Sequence, residues 1–296
     1  MTDQLVHHGL AEHRRLARAD HMATTGAAAR LERIVPAAAR QRHGLPRALT
    51  KATGALLILA FWWIGSARGW IAPDIFPSPG VMLATFGELL ASGEFAEAMS
   101  LSVRRVAIGF TLGLAVGGLL ALASGLFRLG EDLVDAPMQM IRTLPWAGLI
   151  PLLIIWFGID EQPKIALVAF AATFPIYLNT FAGIRNVDRT LVEAAHTLGL
   201  RGFGLVTNVI LPGALPNALV GLRYALGSAW LALVFAEQVN AEGGLGHLIV
   251  HAREVYRIDI IVLCLVIYAV LGLGVDLIVR LLEKGLLQWR PSFSGT

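Results

Sequence analysis

An apolar segment between Val103 and Phe127 reads VRRVAIGFTLGLAVGGLLALASGLF and carries no charged residue after Arg105. About 20 helical residues cross the roughly 30 Å of hydrocarbon in a bilayer, so this segment predicts a membrane-spanning helix. Small residues recur at every fourth position of the segment, which places them on one face where a second helix can approach closely. They are Gly109, Gly113, Gly117, Ala121 and Gly125.

Five further windows have the length and apolar character of a membrane helix, so the sequence predicts an all-α polytopic membrane protein with six transmembrane helices. The six windows cover roughly residues 53–71, 103–127, 136–158, 164–186, 214–239 and 260–282. The third is predicted to be a kinked span, because Arg142, Pro145 and Pro151 interrupt it. Composition agrees with a membrane protein, since only 15% of the 296 residues are charged, against about a quarter in a soluble domain.

Basic residues predict the orientation of the spans. Residues 1–52 hold nine of the 24 Lys and Arg residues, which predicts a basic cytoplasmic arm ahead of a membrane domain over residues 53–296. Lys and Arg favour the cytoplasmic side, so both termini are predicted to be cytoplasmic, and this bias rests mainly on the arm. The arm is too long for the charged region of a signal peptide. We expect it to lie near anionic membrane lipid and not to bind nucleic acid, because no base-reading element follows it.

Ionisable residues at membrane depth are costly and are therefore candidates for function. Arg142, Arg223, Glu237 and Asp276 lie within predicted spans, with Asn179 as a polar companion. Two interpretations of the arginines stay open: they pair with carboxylates or kinked-helix carbonyls, or they supply positive potential along the route of an anion. On the second interpretation the candidate pathway residues are Arg142, Asn179, Arg223 and Glu237. Glu237 lies near the end of its span, which is more typical of a helix-end residue.

Enzyme motifs are missing from the sequence. It contains no G-x-x-x-x-G-K-[ST] phosphate loop, no H-E-x-x-H and no Cys/His cluster with zinc-ligand spacing. His247 and His251 are four positions apart, but two ligands alone rarely make a metal site. We therefore expect no catalytic residue, no metal and no bound cofactor, and a membrane enzyme is disfavoured.

A long segment over residues 187–213 is predicted to be cytoplasmic, although half of it is apolar. It contains Glu193-Ala194-Ala195-His196-Thr197-Leu198-Gly199 and, nine residues later, Val209-Ile210-Leu211-Pro212. This spacing resembles the E-A-A-x₃-G-x₉-I-x-L-P loop of permeases of binding-protein-dependent ABC importers. The departure is Val209 in place of Ile. The resemblance extends over roughly residues 70–291 and is strongest to the sulfonate/taurine/nitrate branch, above all to aliphatic sulfonate permeases. Its other motifs include Ser102-Val103-Arg104-Arg105, Trp156 to Glu161, Ala236-Glu237 and Gly243-Gly244-Leu245-Gly246.

The resemblance implies the permease subunit of a type I ABC importer in the bacterial inner membrane. It implies a homodimer, two ATPase subunits on the cytoplasmic side that use ATP and Mg²⁺, and a periplasmic or lipid-anchored substrate-binding protein. The implied substrate is an aliphatic sulfonate, with taurine, nitrate or a pyrimidine precursor as alternatives. A secondary transporter or channel is the alternative from another class, and the lack of an internal repeat disfavours it.

The same resemblance assigns the cytoplasmic loop to coupling with the ATPase. We expect Glu193 to start a short helix, Gly199 to allow a sharp turn between two short helices, and Pro212 to begin the return into the membrane. The docking element would cover about residues 196–204, with Arg201 as its only full charge. The predicted coupling residues are Glu193, Ala194, Ala195, His196, Gly199, Arg201, Leu211 and Pro212.

Overall fold

A computed structural model describes residues 47–289, and within that range every element of regular structure is helical. The chain divides into two compact units after Ala60, a point inside the first helix. The helices are α1 (Arg47–Ala67), α2 (Pro79–Ala91), α3 (Glu94–Leu126), α4 (Arg128–Ile141), α5 (Trp146–Phe157), α6 (Glu161–Arg185), α7 (Arg189–Thr197), α8 (Gly202–Leu205), a π-helical turn (Val206–Ile210), α9 (Leu211–Asn240), α10 (Leu245–Glu254) and α11 (Ile258–Leu286). Most of the predicted basic arm lies outside the described residues, and α1 begins before its predicted end.

Four stretches are long and apolar enough to cross a membrane, and each matches a predicted span. They are Glu94–Leu126, Glu161–Arg185, Gly202–Val239 and Ile258–Leu286. The predicted all-α membrane fold is thereby confirmed. The first of these starts nine residues earlier than predicted, so α3 takes in residues that were assigned to a loop. In α1, the apolar stretch Leu56–Ala67 is shorter than a full span.

The third predicted span is not one kinked helix. It is broken between α4 and α5, which meet at an angle of 104°. α4 carries Arg128, Glu131, Asp132 and Asp135, so much of it is too polar to face lipid. α5 has 12 residues, about 18 Å of helix, which is too short to cross the hydrocarbon alone. The described residues therefore contain four spans, or five when this bent pair is counted as one.

The core is built from α3, α6 and α9, and small residues bring these helices together. The predicted stripe on α3 faces α6: a β-carbon on Gly113 or Gly117 would lie 2.5 Å from a carbonyl oxygen of α6. α9 carries a second set of buried small residues, which the sequence analysis missed: Ala214, Gly221, Ala225, Ala229, Ala232 and Ala236. Apolar side chains gain little from leaving lipid, so close backbone approach is a main source of cohesion between such helices.

The large apolar side chains of the long helices point away from this core. Leu119 of α3 and Leu273 of α11 are 67% and 72% exposed, as expected of a surface that faces hydrocarbon. α10 packs between α3 and α11, in a cluster that contains Ala98, Leu245, Leu248 and Cys264. The arrangement leaves two chemically distinctive regions at opposite ends of α6 and α9.

Candidate functional site

The segment after α6 forms the first region, and it begins with a capped helix. Asp188 is the N-cap of α7, and its carboxylate accepts a hydrogen bond from the backbone N–H of Thr190 at 2.8 Å. Glu193 is therefore the fifth residue of the helix and not its first, contrary to the prediction. The N-cap carboxylate of Asp188 serves the orphan amides of the helix start, which is the role expected for Glu193.

Gly199 ends α7 as predicted. Its φ is +85°, the left-handed conformation that glycine adopts without steric cost. The N–H of Gly199 donates to the carbonyl of His196, and the N–H of Leu200 donates to the carbonyl of Ala195, both at 3.0 Å. These two bonds form a Schellman motif. The chain therefore turns at Gly199, the last residue of the predicted stretch from Glu193 to Gly199.

The predicted docking element over residues 196–204 is not a single helix. It contains the end of α7, the turn at Gly199 and the start of α8, for which Arg201 is the N-cap. α8 continues through the π-helical turn into α9, where Pro212 lies in the first helical turn as predicted. The π-helical turn was not foreseen, and such turns are frequent at functional sites.

This segment exposes large apolar side chains. Leu198 and Phe203 are 83% and 82% exposed, and Leu191 is 58% exposed. Ala195 of α7 is instead buried, so α7 has one face against the protein and another that is free. Exposed apolar groups clustered around one turn are typical of a surface that binds another protein.

The second region surrounds Glu237, near the C-terminal end of α9. The side chain is fully buried, and its Oε1 accepts hydrogen bonds from Ser102 Oγ at 2.8 Å and Arg105 Nη1 at 2.7 Å. Oε2 accepts from the backbone N–H of Gly246 at 2.8 Å. Glu237 is therefore held in a satisfied buried position, and the structure does not place it on an open pathway.

Arg105 lies at the centre of these contacts. Its guanidinium makes two hydrogen bonds of 2.6 Å with the Glu161 carboxylate and also donates to the carbonyl of Gly243 at 2.6 Å. Lys164 adds a second cation: its Nζ lies 3.4 Å from Glu161 Oε1 and 2.9 Å from the carbonyl of Asp160. We call Ser102, Arg105, Glu161, Lys164 and Glu237 the Arg105 network.

The Arg105 network also caps α10. The N-cap residue of α10, Gly244, has no side chain, and its φ is +111°. The first amides of α10 find partners on other helices: Leu245 N–H donates to Ser102 Oγ at 2.9 Å, and Gly246 N–H donates to Glu237. A carboxylate at this position also suits the positive end of the helix dipole.

The other predicted pathway residues have separate surroundings. Arg142 is exposed at the break between α4 and α5, and among the described residues it forms no ion pair. Asn179 donates its side-chain amide to the carbonyl of Pro175 at 2.9 Å and packs against Gly221.

Arg223 is paired with carboxylates of α11. Its Nη2 lies 3.0 Å from Glu283, and its Nε lies 3.2 Å from Asp276 without a hydrogen bond. Asp276 also pairs with Arg280 at 2.5 Å. Arg223 and Asp276 therefore fit the pairing interpretation, whereas Arg142, of the predicted pathway arginines, has no carboxylate partner within residues 47–289.

Sequence reasoning missed Ser102 and Arg105 as partners of Glu237, and Glu161 and Lys164 as the further members of the network. The predicted span began at Val103 and so placed Arg104 and Arg105 at its very end, whereas α3 begins at Glu94 and buries Arg105 but not Arg104. A signal was present, because four of the five residues of the network, all but Lys164, come from motifs that carried the family resemblance. Those separate motifs converge here in space.

The sequence of this chain is similar to those of known transport permeases. Residues 109–288 match the family described as binding-protein-dependent transport system inner membrane component. An aliphatic sulfonates transport permease protein of Escherichia coli (strain K12) is 48% identical over 80% of this chain and 90% of its own length. The corresponding permease of Bacillus subtilis (strain 168) is 40% identical over 86% and 92%. The taurine transport system permease protein of E. coli (strain K12) is 30% identical over 84% and 92%.

Solved structures share the fold. The chain matches the MetNI methionine ABC transporter, in an inward-facing conformation, with a TM-score of 0.54 over 68% of this chain and 98% of the other, at 22% identity. It matches an amino acid ABC transporter solved with histidines at a TM-score of 0.55, over 67% and 97%, at 20% identity.

Proposed function

Because this chain belongs to the family of binding-protein-dependent transport system inner membrane components, we propose that it is the membrane subunit of an ATP-driven importer of aliphatic sulfonates. The observation that supports an aliphatic sulfonate as the substrate is the 48% identity to an aliphatic sulfonate permease over four fifths of the chain. The taurine permease, at 30%, makes taurine the competing substrate. The subunit itself performs no hydrolysis: a separate ATPase uses ATP and Mg²⁺, and selectivity rests largely on the binding protein.

In this proposal, α7, Gly199 and α8 form the coupling element for the ATPase. Leu198 and Phe203 flank the turn and are almost fully exposed, so they supply an apolar surface for a groove of the ATPase. Arg201, between them, adds a cation. The length of α6 separates this element from the Arg105 network, since 25 helical residues extend about 37 Å.

The proposed assembly is a homodimer with both termini in the cytoplasm. A single coupling loop in a chain without an internal repeat supplies one half of a pump, and two copies would engage two ATPase subunits. Residues 187–210 then face the cytoplasm, and the Arg105 network faces the side on which the binding protein delivers substrate. ATP binding would close the ATPases and open the permease outward, and hydrolysis would reset it.

We assign the attraction for the anion to Arg142. It is exposed at the 104° break between α4 and α5, and within residues 47–289 no carboxylate neutralises it. An unpaired guanidinium attracts an anionic sulfonate and does not attract a neutral solute in this way. Arg223 is neutralised by Asp276 and Glu283 and contributes to stability in this proposal.

The experiment is reconstitution of the chain in proteoliposomes with its ATPase and its sulfonate-binding protein. Uptake of a short alkanesulfonate is measured with and without ATP, in competition with taurine and with nitrate. We expect ATP-dependent uptake that taurine and nitrate inhibit weakly. Uptake without ATP would contradict the importer, and uptake that taurine or nitrate abolishes at equal concentration would contradict the assigned substrate.

A further inference from the structure

We propose that the Arg105 network fixes α10 to the core formed by α3, α6 and α9, so that these four helices move as one body during transport. The loop over residues 241–244 and α10 then form a fixed part of each moving half and not a hinged lid over the substrate route. This inference rests on the proposed transport function, and it concerns which parts of the chain move relative to one another.

Hydrogen bonds that join four separate helices carry the proposal. Ser102 and Arg105 come from α3, Glu161 and Lys164 from α6, and Glu237 from α9, while α10 contributes its first two amides. Arg105 alone contacts α6, α9 and the loop before α10, each at 2.6–2.7 Å. A hinge at the start of α10 would have to break three of these bonds: Leu245 N–H to Ser102, Gly246 N–H to Glu237 and Arg105 to the Gly243 carbonyl.

Three glycines let the loop approach the network closely. A β-carbon on Gly244 would overlap the Glu237 carboxylate, and one on Gly246 would lie 2.6 Å from the Glu237 β-carbon. One on Gly243 would lie 2.8 Å from a methyl carbon of Leu101. The loop is therefore fitted against the helices by shape as well as by hydrogen bonds, and it has no room to slide along them.

The burial of the charges explains why the network stays closed. The side chains of Glu237 and Arg105 are 0% and 3% exposed, so lifting α10 away would take from these buried charged groups the hydrogen bonds they make with Gly246 N–H and the Gly243 carbonyl. The loss of a hydrogen bond to a buried charged group costs more than the loss of one between neutral groups. A transport cycle that opened this contact at every turnover would meet that barrier each time.

The test cross-links the loop directly before α10 to α3 in the reconstituted importer. Leu101→Cys and Gly243→Cys are introduced together with Cys264→Ala, and the pair is joined with a short reducible bis-methanethiosulfonate reagent. Both positions line an open cleft beside the network, so the reagent can reach them. Each single-cysteine variant, treated with the same reagent, is the matched control.

If α10 is fixed to the core, the cross-linked importer retains ATP-dependent alkanesulfonate uptake within about twofold of the same protein after reduction. If α10 is a lid, uptake falls more than about tenfold and returns on reduction, which would overturn the proposal. The comparison is internal to one protein preparation. A defect in the proposed function would appear before cross-linking, in the reduced protein, and would thus be recognised separately.

Hydrogen exchange supplies a second measurement that does not depend on uptake. The amides of Leu245 and Gly246 should stay equally protected in the nucleotide-free and the vanadate-trapped complex, whereas a loss of protection above about tenfold in either state would contradict a fixed α10. Glu237→Gln should lower the protection of Gly246 in both states. The exposed neighbour Glu242→Gln should leave it unchanged, and equal effects of the two variants would also count against the network.

Discussion

Gly199 fixes the turn of the proposed coupling element. It occupies the left-handed position of a Schellman motif, and nothing lies within 4 Å of where its β-carbon would be. A side chain there would not clash, so the only cost of substitution is backbone strain. That cost is about 1–2 kcal/mol, and it acts on the direction in which the chain leaves α7.

We predict that Gly199→Val leaves the permease inserted in the membrane but weakens its binding of the ATPase or uncouples hydrolysis from uptake. Insertion depends on the hydrophobicity of the spans, which this change does not touch. The measurements are co-purification of the ATPase and substrate-stimulated hydrolysis. Gly87→Ala, in α2 and with nothing within 4 Å of where its β-carbon would be, is the control and should behave like the wild type. If Gly199→Val does so as well, the loop is not the coupling element.

Arg142 and Arg223 form a matched pair for testing the route of the anion. Arg142→Gln removes the unneutralised charge and should lower sulfonate uptake several-fold without changing thermal stability, since an exposed side chain is lost. Arg223→Gln leaves Glu283 without its partner and Asp276 with Arg280 alone, and should lower the melting temperature. Uptake kinetics in proteoliposomes and thermal unfolding in detergent, measured for both variants, distinguish the two roles. Normal uptake by Arg142→Gln would remove this residue from the pathway.

At the scale of helices, packing between α3 and α6 depends on which side of α3 a glycine occupies. A β-carbon on Gly117 would lie 2.5 Å from the carbonyl oxygen of Thr173, whereas one on Gly118 would have nothing within 4 Å. We predict that Gly117→Ala destabilises the protein by about 1–3 kcal/mol, because the helices must separate. Gly118→Ala should be neutral or slightly stabilising, since alanine favours the helix. Thermal unfolding measures both, and equal melting temperatures would contradict the packing.

The long helices were predictable from sequence because a span is a local property. The apolar lengths of α6, α9 and α11 located these spans to within a few residues of their observed ends. The break between α4 and α5 was not predictable in the same way. A proline such as Pro145 permits either a kink or a full turn, and the choice depends on the helices packed around it. The start of α7 was misplaced because the capping signal of Asp188 was overlooked in favour of Glu193.

The candidate site was only partly predictable for a related reason. The coupling motif lies within 20 residues of sequence, so its turn at Gly199 and the return at Pro212 could be foreseen. The Arg105 network joins residues up to 135 positions apart, and no periodicity links Ser102 to Glu237. Its members can be recognised as one site only when α3, α6 and α9 are packed together.

At the scale of the whole molecule, the orientation in the membrane is the property to test. With Cys264→Ala as background, single cysteines at Thr190 and Tyr256 should react with impermeant maleimide from opposite sides. Both positions are exposed, Tyr256 at 89%. We expect Tyr256→Cys to be labelled in intact cells and Thr190→Cys only in inverted vesicles. Labelling of both positions from one side would contradict the orientation.

The Arg105 network also bears on how the importer responds to the membrane voltage. Arg105 and Lys164 carry two positive charges, and Glu161 and Glu237 carry two negative ones, so the network as a whole is neutral. Moving one elementary charge through the full field would involve about 2.3 kcal/mol per 100 mV, whereas a neutral group that moves as one body does no such work. The ends of α3, α6 and α9 that carry the network can therefore shift during each cycle without drawing on, or being opposed by, the electrical potential of an energised cell.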